Sequence, residues 1–174
     1  FFIKESIFMK AKQGEVYCTL SKKYKKWACY QVVKEEKDKV ALLALDYFKE
    51  EPPSIENILK LRPLYLNHYL WENKMSVFYT QHIEVPDTYT YVGLIPVLYN
   101  GDIFCYSNWP GHADAESQYE WMQLPEKKRE KFKAAIAQPK KVIINGHELF
   151  TNQTRINEDI LENFSKWEEL DKLP

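Results

Sequence analysis

Three short apolar runs follow one another early in the chain, separated only by charged turns. EVYCTL (residues 15–20) sets Val16, Cys18 and Leu20 on one face at period two. SKKYKK breaks it, WACYQVV (27–33) resumes it, KEEKDK breaks it again, and VALLALDYF (40–48) follows. Period-two runs joined by turn-length polar breaks predict a β-meander. The third run is almost all apolar, which predicts a strand buried on both faces. A chain that begins this way must build an antiparallel sheet before it builds anything else.

The remaining segments decorate that sheet. Pro52 and Pro53 stop the third strand, because proline cannot donate to a ladder. Ser54 caps a predicted short helix, IENILKL, with Ile55, Ile58 and Leu59 at helical spacing. Residues 64–71 and 75–85 are predicted strands. YVGLIPVLY (91–99) is a further strand, and Pro96 inside it predicts an edge or a bulge. Asn100-Gly101 is a hairpin signal, with residues 102–109 returning from it as a strand. Residues 110–114 are predicted loop. Helix follows, most clearly from Pro125 onward, where Pro sits at the first position and Phe132, Ala135 and Ile136 share a face. KVIING (141–146) is a short strand, and residues 157–170 form an amphipathic helix behind a capping Asn157. The expectation is one α+β domain over 1–174: a mainly antiparallel β body at 12–125, as a small barrel or strongly bent sheet, with a helix-rich part at 126–174 packed on it.

Composition narrows the function classes. The 24 basic and 25 acidic side chains nearly cancel, which excludes a strongly basic nucleic-acid binder. Only 5 glycines argue against phosphate-cradling loops. No stretch has the length of a membrane span, and no secretory signal pattern is present. Three cysteines without CxxC spacing suggest no disulfide framework, and a reducing cytosol is the expected compartment. Cys18 and Cys29 are expected as small buried hydrophobes.

The charge is unevenly distributed. Between Met75 and Pro125 there is no Lys or Arg, but there are Glu84, Asp87, Asp102, Asp114, Glu116 and Glu120. Ten aromatic residues share that stretch. Carboxylates set among tyrosine and tryptophan suit a basic protein surface, because acids steer the encounter and rings supply contact area. Phe78, Tyr91, Phe104 and Trp121 are expected in the core. Tyr106, Trp109 and Tyr119 flank the polar segment SNWPGHADAE and are the expected anchors. The candidate partner-binding set is therefore Asp102, Tyr106, Trp109, Asp114, Glu116, Tyr119 and Glu120. The basic clusters KKYKK (22–26) and KKREKFK (127–133) are expected as a solvated turn and a solvated helix face.

Catalytic chemistry has little support. His68, His82, His112 and His147 share no HxH or HxxxH spacing. Cys105, His112 and Asp114 contain the types of a nucleophile, base and orienter, but no flanking motif accompanies them. Adding Glu116 gives a possible ligand set whose spacing matches no familiar metal pattern. Neither an enzyme nor a cofactor or metal is expected.

Residues 12–98 nevertheless carry a pattern. It runs through KQGEVYCTL, KWACYQVV, VALLALDYF leading into EEPPSIENILKLRPLYL, and YTYVGLIPVL. A strand opened by a Gly-acid pair, a Pro-bearing loop after the third strand and a late aromatic-Gly-apolar-Pro segment resemble a family of bacterial immunity proteins from polymorphic-toxin systems, all-β and barrel-like. The tail beyond Asn100 lies outside the resemblance. The resemblance implies an inhibitor that binds one cognate protein toxin in the cytoplasm; on span length and net charge, neither a membrane nor nucleic acid is expected as partner. A nuclease toxin would fit the acidic segment, which can occupy a basic cleft. The alternative class is a small nucleic-acid-binding barrel module using the two basic clusters.

Overall fold

In a computed structural model, residues 9–68, 71–138, 141–144 and 147–150 are described, and residues 135, 136, 141–144 and 147–150 only as backbone. The helix expected at 157–170 lies outside the described residues. The elements in order are β1 (Glu15–Ser21), β2 (Lys26–Glu35), β3 (Val40–Lys49), α1 (Ile55–Ile58), β4 (Tyr65–Leu66), β5 (Lys74–Met75), β6 (Val77–Tyr79), β7 (Tyr89–Leu94), α2 (Ala113–Gln123), α3 (Glu126–Ala137), β8 (Lys141–Ile144) and β9 (His147–Phe150). The class is α+β. The chain divides into two compact units, one of Phe1–Asn67 with Glu72–Glu120, the other of His68–Trp71 with Trp121–Pro174.

The first unit is built on one antiparallel sheet in the order β6-β3-β2-β1-β7. β1, β2 and β3 form the meander that their alternating runs predict. The sheet does not close, so of the two shapes expected the small barrel is not the one formed, and β6 and β7 are its edges. Register shifts interrupt β2–β3 at two places and β1–β7 at one. Such bulges add local twist without completing a ring.

Both sheet faces are buried. One carries Val16, Cys18, Cys29, Val33, Ala41, Leu43, Leu45 and Tyr47, with Ile58 and Ile95 against them. The other carries Tyr17, Tyr30, Leu42 and Phe78. β3 is fully buried from Val40 to Leu45, as its apolar run predicts. Leu20, expected beside Val16 and Cys18, is instead exposed at the strand's end.

Sequence order is followed less closely after β3. Ser54 caps α1 through a reciprocal pair of bonds with Asn57, and only Ile58 of the three expected apolar positions is buried. Gly93 explains why α1 sits there: a Cβ on it would meet Ile58 Cδ1 at 2.6 Å. The strands expected at 64–71 and 75–85 shrink to β4, β5 and β6. β7 is an edge, as Pro96 predicts, and its register with β1 shifts between Val16 and Tyr17. Beyond β7 the ladder is replaced by a side chain. Buried Gln31 donates from Nε2 to the Ile95 and Pro96 carbonyls and accepts from Leu98 N–H.

The hairpin expected at Asn100-Gly101 does not form. A type I′ turn needs positive φ at both central residues, and neither residue has it. No returning strand follows. Residues 105–107 lie parallel to β6, with Tyr79 opposite Tyr106. Helix begins sooner than expected, at Ala113, while α3 starts at Glu126 with Pro125 as its cap residue. In the second unit Trp121 packs on Phe132, with ring centroids 6.0 Å apart, and Lys133 Nζ donates to the Trp71 carbonyl at 2.7 Å. β8 and β9 form an antiparallel hairpin.

Candidate functional site

Five of the seven expected partner-binding residues serve the fold of the first unit. For Asp114, Glu116, Tyr119 and Glu120 the cause is the helical repeat of α2. Residues four apart stand one above another on a helix, so His112, Glu116 and Glu120 form one stripe and Asp114 with Gln118 form a second. Glu116 accepts from Ser21 Oγ at the end of β1. His112 Nδ1 lies 2.7 Å from Glu116 Oε1, close enough for an ion pair when protonated but not aligned as a hydrogen bond. Glu120 accepts from Lys23 Nζ and from the Tyr24 hydroxyl, each at 2.5 Å. Burial pushes its carboxyl up, but these two donors outweigh it and hold the group below the usual carboxylate range.

The second stripe faces another part of the unit. Asp114 Oδ2 accepts from Ser76 Oγ at 2.9 Å, and Gln118 accepts from Asn67 N–H at 2.7 Å. Burial pushes the Asp114 carboxyl upward, and the Ser76 bond only partly offsets this. α2 is thus held within the first unit by polar contacts from both stripes as well as by the ring of Tyr119. Only its first turn, Ala113 to Glu116, falls where a polar loop is expected.

The expected anchors separate in the same way. Trp109 is 9 % exposed and meets Tyr89 and Tyr17 edge-on, with centroids 4.9 and 6.0 Å away. It is core and cannot be an exposed anchor in this structure. Tyr119 is half-buried against Tyr24 and Phe48, with Lys26 Nζ 4.9 Å from its ring centre. The turn KKYKK is therefore not wholly solvated, because Tyr24, Lys23 and Lys26 engage α2.

Asp102 and Tyr106 remain at the surface, and the structure adds Phe104, which sequence alone places in the core. Phe104 is 85 % exposed and Tyr106 is 64 % exposed. Tyr91, also expected in the core, is exposed on β7, whereas Phe78 and Trp121 are buried. The signal that misplaces Phe104 is Asn100-Gly101. A returning hairpin strand would turn this ring inward, and that strand is absent.

The segment bearing Phe104 and Tyr106 is firmly attached. Tyr79 N–H donates to the Cys105 carbonyl at 2.9 Å, and Ser107 N–H donates to the Tyr79 carbonyl at 2.8 Å. The Tyr79 and Tyr106 rings lie 5.5 Å apart. Lys39 Nζ stands 4.4 and 5.0 Å from their centres and bonds the Tyr106 hydroxyl at 3.2 Å. Glu36 accepts from the Tyr79 hydroxyl at 3.0 Å and pairs with both Lys34 and Lys39. The Tyr79 bond first, then the lysines, hold Glu36 below its ordinary range. Asp102 is exposed and has no ion pair among the described residues.

The cysteine–histidine–aspartate combination is not assembled as a relay. Cys105 is exposed, His112 faces Glu116, and Asp114 is engaged by Ser76. Among the described residues no group of three or more His, Cys, Asp or Glu is arranged to hold a metal ion, and no helix is long and apolar enough to cross a membrane. No family model, curated protein or solved structure matches the chain.

Proposed function

We propose that this protein is an immunity protein: a non-catalytic inhibitor that binds one protein toxin in the cytosol of the cell that makes both, and occludes the toxin's active site. The reading combines the pattern of residues 12–98 with one structural observation. A segment held by two backbone bonds displays Phe104, the most exposed large apolar ring among the described residues, beside Tyr106 and an Asp102 with no ion pair among them. Aromatic anchors held in place before binding gain affinity because little conformational freedom is lost on association. Three acids of the cation-free stretch, Glu84, Asp87 and Asp102, also stay exposed and remain available to steer a basic partner.

The test is protection. A toxin encoded immediately upstream of this chain is expressed in a sensitive bacterial host, with and without the protein. Wild type is expected to restore growth, and the double variant Phe104→Ala/Tyr106→Ala to restore it poorly while staying folded. Failure of wild type to protect would overturn the reading.

A further inference from the structure

We propose that the edge at Tyr106 takes up an extended segment of the partner by strand addition, an inference that rests on the protein-binding reading above. In a parallel pairing, one residue bonds the neighbours on either side of its opposite number. Tyr79 does this with Cys105 and Ser107. The N–H and C=O of Tyr106 itself therefore point away from β6, and neither makes a hydrogen bond within the described residues. An outward donor and acceptor on a sheet edge are a template for another strand.

The side chains specify the occupant. Near the start of the segment Asp102 offers a carboxylate that no cation among the described residues pairs. Phe104 offers an uncovered ring. At the other end Lys39 and Lys34 share the single carboxylate of Glu36, which leaves positive charge beside Tyr106. The complementary segment is extended, with a cation toward Asp102, apolar side chains over Phe104 and a carboxylate toward Lys39. A second copy of this chain fits less well. So short an edge buries far less than the roughly 1,000 Å² expected of a stable dimer.

Proline at position 106 separates the modes of binding. Tyr106→Pro removes the ring and the outward N–H, yet leaves both bonds to β6, which use Cys105 and Ser107. Tyr106→Ala removes the ring alone. A display library of random twelve-residue peptides is selected on wild type and counter-selected on Phe104→Asp. Peptides with the base–apolar–acid order are expected to be enriched. They should bind Tyr106→Pro at least tenfold more weakly than Tyr106→Ala. Amide exchange on wild type checks this without a substitution: the Tyr106 amide should exchange freely alone and become protected in the complex. No enrichment, equal binding to both variants, or an unprotected Tyr106 amide would each overturn strand addition. So would a concentration-dependent dimer of wild type that Tyr106→Pro abolishes. Peptide capture needs no toxin, so its failure and a failure of growth protection are separate results.

Discussion

At the scale of single residues, an aromatic side chain beside a polar loop can be an anchor or a core residue, and composition does not decide which. Trp109 illustrates this. Its ring meets Tyr17 and Tyr89, so Trp109→Ala should cost about 3–5 kcal/mol of stability, the usual range for truncating a buried tryptophan. Urea unfolding of the variant measures it, and a loss below about 1 kcal/mol would place the ring outside the core. Phe104 is the converse. Its sequence neighbours look like a strand, but the backbone at Gly101 does not make the tight turn that such a strand requires. Neither outcome is legible in the local sequence, because each depends on which distant strand the segment meets. Gln31 is a third case. A polar residue in the central run of the meander looks like an outward position, yet it is buried and satisfies three backbone groups beyond β7.

At the scale of elements, β1 to β3 were legible because alternation and turn chemistry are local and agree with each other. α2 was legible as helix over most of its length, but its first turn and the role of its acids were not, because Asp114, Glu116 and Glu120 make polar contacts within the fold. Its acids look like steering charge in one dimension, and only the helical repeat brings Glu116 and Glu120 beneath the β1–β2 turn. This has a pH consequence. The carboxyl of Glu120 is held below its ordinary value of 4.5, so its stabilising effect is present above that value and is lost as pH falls through the lowered one. Glu120→Gln should therefore cost about 1 kcal/mol at pH 7, the scale of a partly exposed ion pair. The difference from wild type should shrink steadily below pH 4.5, and urea midpoints across that range measure it. Asp114 acts with the opposite sign, since its carboxyl is pushed up. Its contribution improves as pH falls through the window just above the usual carboxylate range.

At the scale of the whole molecule, net charge near zero and the engagement of KKYKK by α2 both argue against phosphate binding. Binding to generic RNA or DNA in about 150 mM salt is expected to be weaker than micromolar, and a filter or anisotropy assay checks it. Sub-micromolar affinity would favour the nucleic-acid module instead. The antiparallel body was foreseeable from the first fifty residues, whereas the free surface was not. It arises where residues 105–107 join β6 in parallel, a pairing between segments more than twenty-five residues apart that carries no local signature. The most direct measurement is the dissociation constant for the toxin encoded immediately upstream, determined for wild type and for Phe104→Ala/Tyr106→Ala with both proteins shown to be folded. The expected result is tight binding by wild type and a loss of at least a hundredfold in the variant, with the melting temperature unchanged. Equal affinity for the two proteins, or no binding by wild type, would contradict a partner surface at Phe104 and Tyr106.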